Sequence, residues 1–236
     1  MKKKFLIIIA ARGGSKSIKN KNILKFNNKP LISWTINQAL KVKSAKVVVT
    51  TDSKKIKKIS ENIGAEVPYL RSSYLSNDKI GIEPVIIDMI DYLKITENYL
   101  PDAVILLMPT SPFRKINDIT RAIKIFNTNL YTSVVSVSKA IANNNPYWML
   151  KEHNGKVSLS TGQSLNKIKS RRQDLPDIYI RNDFVYVIKT QNLYDKKPNL
   201  YGNKIKLMKI SDDRYDVDIN TKKDWKIAEH IFKLEN

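Results

Sequence analysis

The apolar positions of this chain fall into short blocks separated by charged and polar stretches. Phe5 to Ile9, Lys46 to Thr50, Ala103 to Met108 and Thr132 to Ser138 are apolar or β-branched runs. Runs of this length, bounded by polar loops, fit strands covered on both faces. Between the first two runs, Pro30 opens a segment in which Leu31, Ile32, Ile36, Ala39 and Leu40 recur near the helical period, and proline suits a first helical turn. Thr51-Asp52-Ser53 closes the second run and predicts a capped helix after it. Strand, helix, strand, helix within the opening third of the chain predicts an α/β class with a parallel sheet. Further helices are expected near Asn117 to Phe126 and from about Thr221 to Leu234. The alternation lapses between about 140 and 182. There, Asn143-Asn144-Asn145-Pro146 marks a loop, Tyr147-Trp148-Met149 is an aromatic cluster, and His153-Asn154-Gly155-Lys156 signals a hairpin turn. This stretch reads as an arm projecting from a single domain that spans 1–236.

Composition narrows the class. A chain of 236 residues holds one full α/β domain with an arm, and is short for two. No apolar window approaches the ~18 residues of a membrane span. Lys2, Lys3 and Lys4 ahead of Phe5 to Ile9 imitate a signal peptide, but Arg12 cuts the run short and no small-residue cleavage site follows. There is no cysteine, so disulfides, thiolate metal sites and cysteine nucleophiles are excluded, and a cytoplasmic location is expected. The formal charge of +20 suggests anionic partners. The lysines are scattered, however, and Lys54-Lys55 with Lys57-Lys58 fall at helix-surface spacings, so a solvated basic surface is the favoured explanation. A nucleic-acid-binding module is the reading from another class, although no helix-turn-helix, RNP or zinc pattern supports it.

The candidate chemistry lies at residues 10 to 22, Ala-Ala-Arg-Gly-Gly-Ser-Lys-Ser-Ile-Lys-Asn-Lys-Asn. A basic glycine-containing loop leaving the carboxyl end of a buried strand is where an open α/β sheet takes its ligand. Gly13 and Gly14 permit a tight turn that presents N–H groups to an anion, and Arg12, Lys16, Lys19 and Lys21 suit a polyphosphate. The spacing matches neither the Walker loop nor the dinucleotide fingerprint. Taken alone, the segment is equally a glycine turn with solvated lysines.

Ala11-Arg12-Gly13-Gly14-Ser15-Lys16 with Lys21-Asn22 resembles the signature loop of the acylneuraminate, or nonulosonic acid, cytidylyltransferases. Four further segments resemble that family. Arg71 and Asp78 match a segment lying against cytidine, with Ser72 in place of the usual proline and Gly81-Ile82 where a Ser or Thr is common. Pro109-Thr110-Ser111-Pro112-Phe113-Arg114 resembles a Pro-Thr-Ser-Pro-x-Arg loop, with Met108 where glutamine is usual. Arg172-Gln173-Asp174-Leu175-Pro176 and then Tyr179 resemble the sugar-binding Arg-Gln-x-Leu-Pro motif. Asn182 is shared as well, but Asp183-Phe184 replaces Gly-Ala and is expected to reshape the sugar pocket. Asp216-Val217-Asp218 resembles the family's metal-binding Asp-x-Asp. Two carboxylates at alternate positions of an extended segment share a face, which suits a hard cation; outside this context they are ordinary surface acids or caps.

The resemblance implies a Rossmann-like, mostly parallel mixed sheet of the nucleotide-diphospho-sugar transferase type, and a homodimer whose arm reaches the partner. It implies that CTP and an acidic 2-keto sugar react to give a CMP-sugar and pyrophosphate. In this reading Arg12 and Lys21 hold the phosphates, helped by Gly13, Gly14, Ser15 and Lys16. Ala11, Asn22, Arg71 and Asp78 receive the nucleotide. Arg172, Gln173, Tyr179 and Asn182 receive the sugar, Arg172 being suited to its carboxylate. Asp216 and Asp218 hold Mg2+, and Arg12, Lys21 and Asp218 are the catalytic set. The acceptor is a sialic-acid-like sugar or, alternatively, pseudaminic, legionaminic or an eight-carbon keto acid. No specific nucleic acid and no membrane are expected as partners.

Overall fold

A computed structural model describes residues 3–211, 214 and 216–235. In chain order the elements are β1 (Phe5–Ala10), β2 (Lys25–Phe26), β3 (Lys29–Pro30), α1 (Leu31–Leu40), β4 (Ala45–Thr50), α2 (Lys54–Ile63) and α3 (Ile82–Glu97). There follow β5 (Ala103–Leu107), α4 (Ile116–Phe126), β6 (Ser133–Lys139), β7 (Leu150–His153), β8 (Lys156–Leu159), β9 (Tyr179–Lys189), β10 (Ile205–Lys209) and α5 (Lys222–Glu235). Six strands form one sheet in the order β10–β6–β9–β5–β1–β4. β1 pairs in parallel with β4, Phe5 opposite Ala45, and with β5, Phe5 opposite Ala103. β9 runs antiparallel to β5, with Leu106 opposite Tyr186. The expected mixed α/β sheet is borne out.

The apolar runs are buried because both faces of this sheet are covered. Leu6 to Ile9 and Ala103 to Leu107 are almost wholly inaccessible. From α1, Leu31, Ile32, Ile36 and Ala39 enter the core, Pro30 standing just ahead of the helix. At α2 the Ser53 hydroxyl accepts from the Ile56 N–H, and Gly64, in the left-handed region, closes the helix, as capping chemistry requires. α5 returns to the start of the chain: the Phe26 ring packs edge-on against Trp225 and Phe232, with centroids 5.6 and 5.5 Å away. Phe26 is fully buried there. Such edge-to-face pairs add to the ~1.5–3 kcal/mol of burying an aromatic side chain.

The chain divides into two compact units. The first comprises residues 1–136, 182–208 and 215–236, and the second 137–181 and 209–214. Within the second, β7 and β8 form a hairpin turned by Asn154 and Gly155, both at positive φ, as an Asn-Gly turn favours. Trp148 donates its indole N–H to the Lys169 carbonyl at 2.6 Å, and Lys139 pairs with Asp177 at 2.7 Å. Ile141, Met149, Leu150, Val157 and Ile168 of this unit are exposed. Among the described residues no helix is long and apolar enough to cross a membrane.

Candidate active site

Two cavities open in the first unit, at the carboxyl ends of β1 and β5. The larger, about 380 Å³, is walled by the loop after β1 (Arg12, Ser15, Lys16, Lys21, Asn22), the loop after β5 (Met108 to Thr110), and Asp183, Asp218 and Asn220. The smaller, about 290 Å³, is walled by Arg71, Leu75 to Asp78, Ile80 to Ile82 and Val85. Ala10, Arg12 and Met108 belong to both. The position is the one a parallel sheet offers, because strand ends and loops converge there.

The basic loop is anchored at its base and charged at its tip. The Ala11 N–H continues the β1 ladder to Thr50 O at 3.0 Å. Gly13 donates its N–H to Asp52 Oδ1 at 2.7 Å, so that donor is directed inward. A Cβ on Gly13 would meet the Ser53 Cβ at 3.0 Å, and neither Gly13 nor Gly14 has positive φ. Close approach of the α2 cap therefore explains Gly13, in place of the tight turn expected from sequence. Asn22 is buried and donates to the Arg12 carbonyl at 3.0 Å, fixing the loop's two ends together. Lys21 donates to the Ile219 carbonyl at 2.7 Å, and the Ile219 N–H returns to the Thr110 carbonyl at 2.9 Å. Burial pulls the Lys21 ammonium below its ordinary pKa, with Asp218 opposing that shift.

Asp78 meets the loop from the other side. Its carboxylate pairs with Arg12 and, at 2.5 Å, with Lys16, and hydrogen bonds from Lys16 and then Arg12 hold it below the usual carboxylate range. An internal carboxylate thus occupies Arg12, one of the two cations predicted to hold the phosphates, together with Lys16, which was expected to help. Arg71 is buried, joins the β4 end through its N–H to Thr51 O at 2.8 Å, and donates Nε–H to Ser76 Oγ at 3.0 Å. Desolvation lowers its pKa, Asp52 and Tyr69 offsetting part of that.

A further cation that sequence reasoning left as a loop residue lies beneath the floor. Arg114 is wholly buried and donates to the Phe184 carbonyl, to Thr35 Oγ1 at 3.1 Å and to the Met108 carbonyl at 2.6 Å. Burial pushes it down to about 9, which leaves it charged at neutral pH. It ties β5, α1 and β9 together under the site. Its sequence signal was the arginine that closes the Pro-Thr-Ser-Pro-x-Arg loop, to which no role had been assigned.

Of the predicted acids, Asp218 lines the larger cavity and Asp216 does not. Residues 216–220 form no strand, so the alternation expected of an extended pair is not imposed there by a ladder. Asn220 donates to Asp218 Oδ2 at 2.6 Å, while Oδ1 is buried without a hydrogen-bond donor. Burial raises the Asp218 pKa, and the charge of Asp183 adds to this against the Thr110 and Asn220 contacts. An orphaned buried carboxylate oxygen is the kind of donor a hard cation takes, so the residues fit a magnesium site. Among the described residues no group of three or more acid or histidine ligands forms.

The predicted sugar residues fall on both units. Arg172 and Gln173 are exposed in a short turn of the second unit, where Arg171 clasps Asp174, and Tyr179 lies under the Lys209 ammonium at 4.4 Å. Asn182, in the first unit, is buried, and its Oδ1 accepts from Ser136 Oγ at 2.7 Å and from the Phe184 N–H at 3.3 Å. That oxygen shapes the strand and is not presented to a ligand. Phe184 is fully buried, so it belongs to the core and does not narrow a pocket. Asp183 alone of the pair reaches a cavity.

Comparison with known proteins agrees with this geometry. The sequence profile of the cytidylyltransferase family matches residues 6–235. The chain is 35% identical over 240 residues to a post-translational flagellin modification protein B of Campylobacter coli, covering 98% of this chain and 96% of that one. It is 32% identical to a CMP-N,N'-diacetyllegionaminic acid synthase of Legionella pneumophila, over 98% and 97% of the two chains. It is 33% identical to an N-acylneuraminate cytidylyltransferase of Escherichia coli, over 100% of this chain and 54% of that one. In fold it is similar to a CMP:2-keto-3-deoxy-manno-octonic acid synthetase solved with CTP, with a TM-score of 0.70 at 15% identity over 99% and 100% of the chains. A profile matched from the first strand to the last helix, and relatives above 30% identity along nearly the whole length, bear out the family that the motifs implied: the chain belongs to the cytidylyltransferases.

Proposed function

We propose that the protein transfers CMP from CTP to a nonulosonic acid, a nine-carbon 2-keto sugar acid, and releases pyrophosphate. The observation that carries this reading is the larger cavity itself, where Arg12, Lys16 and Lys21 face Asp218 at the carboxyl edge of the sheet. Three cations in a cavity that also holds the carboxylates of Asp183 and Asp218 suit a polyphosphate chain with a divalent ion. The smaller cavity, with buried Arg71 and apolar Leu75, Ile80 and Val85, suits a pyrimidine and its ribose. Relatives named for legionaminic acid match along nearly their full length, so that sugar heads the panel of acceptors.

In this reading the sugar's anomeric hydroxyl attacks the α-phosphorus and pyrophosphate leaves in line, a reaction governed by positioning and charge stabilisation. Arg12 and Lys16 release Asp78 and take the β- and γ-phosphates. Lys21, braced on the Ile219 carbonyl, holds the phosphate nearest Asp218. Asn22 keeps the Arg12 carbonyl in place. Arg172, with Gln173 and Tyr179, meets the acidic sugar, its guanidinium suited to the carboxylate. Asp218 would hold magnesium through its orphaned oxygen, which supplies charge stabilisation at the α-phosphate. A CTP-dependent reaction fits a cytoplasmic location. The exposed apolar side chains of the second unit support a homodimer formed through it.

The test is pyrophosphate release with each nucleoside triphosphate and a panel of keto-acid sugars. CTP with a nonulosonic acid should give turnover well above every other pair. Turnover only with the eight-carbon acid would transfer the reading to that substrate. Turnover with no sugar, together with tight binding of RNA or DNA, would favour the basic nucleic-acid module.

A further inference from the structure

We propose that Asp183 supplies the second carboxylate of the divalent-cation site, facing Asp218, in the place that sequence spacing assigned to Asp216. The inference rests on the cytidylyltransferase reading and names a ligand within it. Both Asp183 and Asp218 wall the larger cavity, and Asp216 does not.

The backbone at Asp183 is held in an unusual shape. Its φ of 57° puts a non-glycine residue in the left-handed region inside an eleven-residue strand. Aspartate tolerates that region better than most residues, but at a cost, and such positions persist where the surroundings over-determine them. Here they do. Ser111 Oγ donates to the Asp183 carbonyl at 3.3 Å, Arg114 grips the Phe184 carbonyl, and Asn182 Oδ1 accepts from the Phe184 N–H. The Tyr186 hydroxyl donates to Asp183 Oδ1, which orients the carboxylate.

Nearby cations do not satisfy these oxygens. Lys21 donates to the Ile219 carbonyl, and Arg114 donates to two carbonyls and the Thr35 hydroxyl, so the Lys21 charge acts on Asp218 without hydrogen bonding to it. Asp218 Oδ1 is buried with no donor. Asp218 therefore keeps an open oxygen in a cavity that the Asp183 carboxylate also lines, and like charges so placed favour a cation between them. Two protein carboxylates completed by water and nucleotide phosphate make an ordinary magnesium environment. The lack of a three-ligand cluster among the described residues agrees with a site finished by its substrate.

The test is binding of Mn2+ to the nucleotide-free protein, read by the loss of the free-ion electron paramagnetic resonance signal, for the parent and for Asp183→Asn, Asp216→Asn and Asp218→Asn. A further variant, Asp183→Gly, keeps positive φ accessible and guards against loss of fold, which circular dichroism checks. Affinity should fall about tenfold or more for Asp183→Asn, Asp183→Gly and Asp218→Asn, and stay near the parent for Asp216→Asn. Parent-like binding by folded Asp183→Gly overturns the assignment, as does a large loss in Asp216→Asn. CTP binding in EDTA is measured alongside: its absence in the parent would sink the functional reading itself, whatever the manganese titrations give.

Discussion

Arg12 stands at the meeting of the two cavities, and its pairing with Asp78 shows that the guanidinium already recognises an anion. Arg12→Ala removes a charged hydrogen bond to phosphate, costing about 1.5–3 kcal/mol, or roughly ten- to a hundredfold in kcat/KM for CTP. The melting temperature should hardly move, because the side chain is partly exposed and surface pairs contribute little. Arg114 is the opposite case. Truncation to alanine leaves the carbonyls of Met108 and Phe184 without their donor in the interior, and the loss should be about 3–5 kcal/mol. Thermal denaturation of the two variants separates them: a normal melt for Arg12→Ala, a large drop for Arg114→Ala. Sequence motifs gave the first residue a role and marked the second without one. An arginine's burial depends on which carbonyls surround it after folding, and those of Met108 and Phe184 lie far apart in the chain.

At the scale of elements, the loop after β1, the segment from Arg71 to Gly81 and the segment from Asp218 to Asn220 close around one place. Asp78 joins the first two by an ion pair to both Arg12 and Lys16, and incoming triphosphate must displace it. Asp78→Asn should therefore tighten nucleotide binding a few-fold at low salt, with the gain fading as ionic strength rises. Calorimetry of CTP binding at two salt concentrations checks this, and weaker binding in the variant would mean that Asp78 contacts nucleotide directly. The main strands and α1, α2, α4 and α5 were legible because their periodicity and caps are local properties. α3, the strands β9 and β10, and the antiparallel direction of β9 were not. The first begins without a side-chain cap at Gly81, and strand direction is decided by neighbours distant in sequence. The departure at Asp183 was visible as a letter, yet its meaning depended on a left-handed φ and on the proximity of Asp218.

For the whole molecule, the charge of +20 and the exposed apolar residues of the second unit ask for different partners. The lysines serve the site where they converge at the end of β1; elsewhere they cover the surface. The apolar set of Ile141, Met149, Leu150, Val157 and Ile168 supports association with a second copy through residues 137–181. Light scattering should show a dimer at micromolar concentration, and Leu150→Lys should shift it toward monomer while leaving the circular dichroism spectrum unchanged. A parent that is monomeric and fully active would remove the dimer from the account.

The central claim is that this chain joins CMP to an acidic 2-keto sugar. It is tested most directly by incubating the pure protein with CTP, magnesium and N,N'-diacetyllegionaminic, N-acetylneuraminic, pseudaminic or eight-carbon keto acid, and weighing the products by mass spectrometry. The account predicts a species with the mass of CMP condensed with a nine-carbon acid, matched by equimolar pyrophosphate and absent when CTP is replaced by UTP. CTP left intact with all four acids, by a protein that is folded and binds CTP, would contradict it.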